Sequence, residues 1–166
     1  RAGVVPDIVV LSKAISGYGL PMSLVLMRPE LDVWDPGEHT GTFRGNQLAF
    51  VGGTAALELA AQIGLVAEVA RKGALCEQWL RERIARLDDR LAVRGLGLIW
   101  GLDASAAGND FATRVSARCF ELGLVIETAG RRDTVLKLLP PLTTPDDQLE
   151  QGLALIERAV RDALGT

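Results

Sequence analysis

Lysine is scarce in this chain. Lys13, Lys72 and Lys137 are the only three among 18 basic residues. Histidine is scarcer: with His39 alone, neither a multi-histidine zinc site nor an HExxH helix can be built. A Ser-His-Asp triad would also need the GxSxG elbow that the sequence lacks. The two cysteines, Cys76 and Cys119, form no CxxC; they read as reduced, buried thiols of a cytoplasmic protein, not as a disulfide framework. No basic stripe is present and the net charge is −3, which argues against a nucleic-acid partner. No uninterrupted apolar run is long enough for a membrane span. Residues 48–70 come nearest, but Glu58, Gln62 and Glu68 break them, so a buried helix is expected there. Ser12-Lys13-Ala14 has no GxxxxGK[ST] context, and Gly95-Leu96-Gly97-Leu98-Ile99-Trp100-Gly101 is one residue off GxGxxG and leads into a strand pattern, so neither phosphate-loop motif applies. No signal-peptide pattern is read at the start. The first residue is Arg1, with a strand signal only a few residues on, so a segment of a longer polypeptide is expected.

What is present is an ordinary globular composition, 48% hydrophobic over 166 residues, enough for one domain or parts of two. Residues 8–11 and 23–27 are short, β-branched and consecutively apolar, which predicts strands buried on both faces. Residues 28–46 form a long polar connection of the kind that is usually functional. Residues 47–71 read as a helix, with Leu57, Ala60, Ala61, Gly64 and Leu65 on one face and with Gly52 and Gly53 allowing close packing. Leu75, Trp79, Leu80, Ile84 and Leu87 continue in helical spacing. Beyond Asp88-Asp89 the pattern predicts strands at 91–94 and 98–102, a helix capped by Asn109 and stopped by Gly123, strands at 124–126 and 134–139, and a last helix. That helix starts at Thr144 as N-cap with Pro145 at its first position and carries Leu149, Leu153, Ile156 and Val160 on one face. The order β-β-loop-α-α then β-β-α-β-β-α predicts a piece of a larger α/β domain over 1–88, followed by a smaller α+β domain over 89–166.

Three places carry chemistry. Lys13 closes the apolar run Pro6-Asp7-Ile8-Val9-Val10-Leu11-Ser12 and opens the turn Ala14-Ile15-Ser16-Gly17-Tyr18-Gly19-Leu20-Pro21. A desolvated lysine there is a free amine able to form a Schiff base; the plainer alternative is a lysine snorkelling to water. The segment Gly37-Glu38-His39-Thr40-Gly41-Thr42-Phe43-Arg44-Gly45-Asn46 precedes a helix and offers hydroxyl and backbone N–H groups to a phosphate, or is a polar loop with an N-cap. Lys137, in Leu136-Lys137-Leu138-Leu139-Pro140-Pro141-Leu142, needs an anion, either a structural carboxylate or that of a substrate.

These pieces, in this order and spacing, resemble the class III pyridoxal-phosphate aminotransferases. The family's Pro-Asp-Ile, strand, Lys and glycine-rich turn ending in Pro are matched from Pro6 to Pro21. Its His-x-x-Thr-(Phe/Tyr)-x-Gly-Asn block is matched by His39, Thr42, Phe43, Gly45 and Asn46, and its Pro-Pro-Leu by Pro140-Pro141-Leu142. The wording around Lys13 and from Arg28 to His39 is most similar to the diaminobutyrate–2-oxoglutarate branch, that of ectoine synthesis. The resemblance implies the C-terminal part of a fold-type-I transferase: the end of the large cofactor domain with its connecting helix, then the small α+β domain. It implies a homodimer or higher homo-oligomer acting on amino acids and 2-oxo acids. Lys13 would carry pyridoxal 5'-phosphate as a Schiff base and later shuttle a proton. Gly41 and Thr42 would bind cofactor phosphate, in this family that of the neighbouring subunit. Lys137 stands where the family usually has an arginine for the substrate carboxylate; lysine offers a point charge and no bidentate fork, which Arg131 or Arg132 would have to supply. The Asp for the pyridine nitrogen, the Gly-rich phosphate turn and the ring-stacking aromatic would lie in the preceding half of the enzyme. Other readings on this scaffold are an aminomutase, an ω-amino acid transaminase, or a non-catalytic piece that keeps the small domain as an interaction module.

Overall fold

The computed structural model of the chain describes residues 3–17 and 19–165. Arg1, where the chain starts, and Tyr18 of the Lys13 turn lie outside the described residues. The elements follow the expected order: β1 (Ile8–Leu11), β2 (Leu24–Met27), α1 (Gln47–Gln62), α2 (Leu65–Trp79), β3 (Ala92–Leu96), β4 (Ile99–Asp103), α3 (Phe111–Glu121), β5 (Glu127–Ala129), β6 (Val135–Leu138) and α4 (Asp146–Leu164). The chain divides into two compact units, Arg1–Gly64 and Leu65–Thr166. Residues 65–88, which the sequence groups with the cofactor domain, pack here on the C-terminal sheet.

In the first unit β1 and β2 pair antiparallel, Ile8 opposite Met27 and Leu11 opposite Leu24. Burial on both faces is not found. Val9, Leu11, Leu24 and Met27 are half-buried, while Ile8, Val10, Val25 and Leu26 are exposed. Two strands have a second face to bury only when another layer lies on it, and among the described residues no third strand joins them. The single helix expected over 47–71 is two. Gly64 takes φ +60, a left-handed conformation that stops α1 at Gln62. Nor is α1 the buried helix expected: Leu48, Val51 and Leu57 are more than 60% exposed. Its covered face consists of small residues, Ala49 and Gly53 buried with Gly52, Ala56 and Ala60 half-buried. No single helix among the described residues is long and apolar enough to cross a membrane.

The second unit is a four-stranded antiparallel sheet in the order β3-β4-β6-β5, covered by α2, α3 and α4. Trp100 and Leu102 of β4 face Leu138 and Leu136 of β6 across the ladder, and all four are buried. They meet Val115 and Cys119 of α3, Leu149, Leu153, Ile156 and Val160 of α4, and Cys76, Leu80 and Ile84. Both thiols are free and buried. Burial pushes each up to about 11, because a thiolate loses its hydration there. Gly73 of α2 sits so close to the β3–β4 turn that a Cβ would lie 2.5 Å from the Gly97 carbonyl oxygen. The Gly95-Leu96-Gly97 sequence is thus a tight hairpin gripped by a helix.

Among the boundaries that differ from expectation, those of α3, β5 and α4 have a local cause. Asp110, not Asn109, precedes α3. Strand β5 begins at Glu127, not 124, because residues 122–124 complete the stop of α3: Gly123 N–H donates to Phe120 O and Leu124 N–H to Cys119 O, the paired bonds of a Schellman motif. At α4 the N-cap is Pro145 in extended conformation, and the Thr144 hydroxyl turns back to the Pro141 carbonyl at 2.8 Å. Glu157 of α4, buried, is satisfied by three donors: Trp79 Nε1 at 3.1 Å, Arg83 Nε at 2.9 Å and Arg161 Nη2 at 3.0 Å. Such a carboxylate is tolerated inside because every partner is in place.

Candidate active site

Lys13 emerges from the end of β1 with φ +58 and begins a 3-10 turn, Lys13–Ser16. A left-handed lysine is uncommon and costs roughly 1–3 kcal/mol. Among the described residues only Arg132 and Asp133 share this state outside glycine. The turn is held by the small-residue face of α1. A Cβ on Gly52 would come 2.8 Å from the Ser16 carbonyl oxygen, and one on Gly53 would come 2.9 Å from that of Ile15. Gly17, at φ +77, meets Ala56 and the Gly52 carbonyl just as closely. Bare Cα atoms are therefore what lets the lysine turn lie on the helix. Ser16 is fully buried in this contact, and its hydroxyl finds no hydrogen-bond partner among the described residues, which is uncommon for a buried polar group.

Lys13 lines a cleft of about 1070 Å³ with Gly19, Pro21, Met22, Trp34, His39, Phe43, Arg44, Gly45 and Phe50. The lysine is exposed to it, so the desolvated amine expected from the sequence is not found in this chain; the half-covered β1–β2 pair leaves it open. The lining suits a flat aromatic carbonyl compound: a primary amine, glycine backbone and aromatic rings, with no carboxylate among its members. The loop before α1 carries the helix N-cap that was one of its two expected readings. Asn46 Oδ1 accepts from Leu48 N and Ala49 N at 3.1 and 3.3 Å, which occupies the donors of the α1 N-terminus. Thr42 and Gly41 are exposed and do not line the Lys13 cleft. Gly41 accepts from the Arg44 N–H at 3.1 Å.

Lys137 and Arg132 belong to the second unit. The pleat puts Lys137 on the sheet face opposite Leu136 and Leu138, directly across from Glu127, with Nζ to Oε1 at 2.6 Å. Its anion in this chain is therefore structural. Arg131 and Arg132 stand exposed in the β5–β6 turn, Arg132 at φ +69. The sequence reading did not single out Trp34 and Arg44, although the density of His39, Arg44 and two aromatics in one loop was visible in it.

Residues 1–160 match the family model "Aminotransferase class-III". The chain belongs to the class III aminotransferase family. It is 56% identical over 166 residues to a diaminobutyrate–2-oxoglutarate transaminase from Bordetella parapertussis, covering 98% of this chain and 38% of that protein. It is 50% identical to one from Streptomyces coelicolor with the same coverage. The chain thus spans under two-fifths of the length of these curated relatives. Among solved structures, the ornithine aminotransferase from Toxoplasma gondii, described with partial occupancy of PLP at its active site, superposes with a TM-score of 0.89 at 27% identity, over 98% of this chain and 38% of that one. The fold is the C-terminal part of a fold-type-I PLP-dependent transferase.

Proposed function

We propose that this chain is the C-terminal part of a transaminase that moves an amino group between diaminobutyrate and aspartate semialdehyde on one side and glutamate and 2-oxoglutarate on the other, with pyridoxal 5'-phosphate as cofactor. The observation that carries the reading is Lys13: a scarce residue, held in a strained backbone state on a bed of glycines, opening into a cleft. When bound, the cofactor supplies an electron sink for the carbon that exchanges its amine. Lys13 would hold the cofactor through its Nζ, and as a free amine it would be the base that moves the proton. The turn against α1 fixes where that nitrogen can reach, and Phe43 and Phe50 keep the cleft wall apolar.

Thr42 and Gly41, exposed and outside the Lys13 cleft, suit a role toward the cofactor phosphate of a second copy in a homodimer. The division into the end of a cofactor domain with its connecting helix over 1–88, the helical part from 65 packing on the small domain of 89–166, and a cytoplasmic location belong to the same reading. Lys137, engaged by Glu127, is a weak carboxylate receptor, since its release costs an ion pair; Arg132 is the freer cation of that unit.

The test is Lys13→Ala in a full-length protein carrying this segment. The wild type binds cofactor with visible absorbance, fixes it irreversibly on borohydride reduction and transfers the amine of diaminobutyrate to 2-oxoglutarate; the variant loses the fixation and the transfer. Fixation retained by the variant, on another lysine, would overturn the assignment. A wild type that prefers other amino donors over diaminobutyrate would favour the ω-amino acid reading.

A further inference from the structure

Arg44 closes the loop before α1 on itself. Nη1 donates to the His39 carbonyl at 2.7 Å and Nη2 to His39 Nδ1 at 3.0 Å, and the Arg44 backbone N–H reaches the Gly41 carbonyl at 3.1 Å. The arginine stem runs along Gly41, where an added Cβ would lie 3.3 Å from Cγ and 3.4 Å from Cδ. Trp34 backs the His39 ring, stacked at 4.7 Å with the planes 12° apart. His39 and Arg44 are thus the jaws of a clasp, and Gly41 and Thr42 are the turn it holds. The jaws line the Lys13 cleft, whereas Gly41 and Thr42 lie outside its lining.

The clasp depends on charge. Because arginine can only donate, His39 Nδ1 accepts and the ring proton sits on Nε2. A second proton would occupy Nδ1, remove the acceptor and set an imidazolium against a guanidinium. No acid of the cleft stands by to offset it. Lys13 is the other charged residue of the lining, and the walls from β2 and from the first turn of α1 bring no charge. The acids just before His39 in the chain are tied to each other: Glu38 Oε2 accepts the Asp35 N–H at 2.9 Å, and the Glu38 N–H donates to the Asp35 carbonyl at 3.1 Å. Histidine is the side chain that ordinarily changes charge between about pH 5 and 8. We propose that His39 and Arg44 are positioning residues for the phosphate contact of Gly41 and Thr42, and that a proton on His39 opens the clasp and weakens that contact. This rests on the reading of Gly41 and Thr42 as ligands of the cofactor phosphate of a second copy. Two small residues hold an anion well only when their backbone is set beforehand, since ordering it at the moment of binding costs affinity.

The experiment uses the full-length protein with His39→Asn, Arg44→Ala and Thr42→Ala. Asparagine places an oxygen that does not titrate where Nδ1 stood. Two quantities are followed from about pH 8 to about pH 5.5: the affinity for pyridoxal 5'-phosphate, and the ring resonance of His39 in protein labelled at histidine, identified by its absence from His39→Asn. A phosphate monoester itself titrates at about pH 6, so the difference between proteins decides. The wild type is expected to lose about tenfold more affinity than His39→Asn over this range, in step with the His39 titration, as a hydrogen bond to a charged group is lost. Arg44→Ala should start from the lowered affinity at pH 8 and follow the shallow profile of His39→Asn. A His39 ring that stays neutral throughout overturns the proposal. So does a fall as steep in His39→Asn as in the wild type. Thr42→Ala with wild-type cofactor affinity would instead sink the phosphate reading, leaving the clasp itself standing if Arg44→Ala still moves the His39 titration.

Discussion

Gly52 shows how much a site depends on what a residue lacks. A Cβ in place of its hydrogen would come 2.8 Å from the Ser16 carbonyl oxygen, at the end of the turn that Lys13 opens. Gly52→Ala is expected to cost about 1–3 kcal/mol, as overpacking does, and to lower cofactor occupancy in the same variant. Melting temperature and absorbance titration of the full-length protein check both, and a variant with wild-type values for each would show that the turn does not need this contact. The place of Lys13 at a strand end before a glycine turn was legible in the sequence. Its left-handed backbone was not, since nothing in a single side chain announces φ. The glycines were read as permitting close approach, but their partner could not be named: the face of α1 that packs is defined by small residues, and a search for hydrophobic spacing picked Leu57 and Leu65 instead.

The elements of the second unit are stitched by charge at one end. Arg71 of α2 donates to Glu68 and to Asp146 at the start of α4, both at 2.8 Å, and the neighbouring Lys72, buried, donates to the Thr144 carbonyl at 2.7 Å. Hydrogen bonds from Arg71 hold the carboxyls of Glu68 and Asp146 below their ordinary values of 4.5 and 3.8. Depressed acids contribute stability above their unfolded values and lose it as pH falls through the folded ones. The α2–α4 junction should thus loosen below about pH 4, and Arg71→Gln should flatten that part of the stability profile. Hydrogen exchange at the first turn of α4, followed from pH 6 to pH 3, gives the answer; equal acid sensitivity in the variant would disprove the link. The start of this helix was legible to within a residue or two from Pro145 and its two following acids. Thr144 misled because its hydroxyl had a nearer acceptor in Pro141. Similarly, the strand expected at 124–126 gave way to the helix stop, since Gly123 and Leu124 spend their N–H groups on α3.

At the scale of the molecule, the order of strands and α-helices was legible, because most are well patterned and set off by glycine or proline. The burial of the β1–β2 pair was not, because burial depends on layers that the segment's own sequence does not describe. The grouping of residues 65–88 was hidden for the same reason: their apolar face suits any sheet, and only packing reveals that Cys76, Leu80 and Ile84 enter the core with β4 and β6. An expressed fragment of residues 65–166 should therefore fold alone, whereas one of residues 89–166 should not. Thiol chemistry reports it. With Cys76 and Cys119 buried and pushed up to about 11, the longer fragment should resist alkylation at pH 8 until denatured. Its stability should fall between about pH 9 and 11, where the unfolded chain ionises first. Prompt alkylation under native conditions would show that the core is not closed.

The strained backbone of Lys13 has a consequence for anyone improving the protein by selection. A glycine in its place would relax the turn, and an asparagine would tolerate the same left-handed state better than lysine does. A screen that rewards heat resistance alone therefore pulls this position away from lysine, toward sturdier proteins that have lost the amine. In such a collection the most durable members would be the inert ones, and durability would have to be scored together with turnover to keep the lysine.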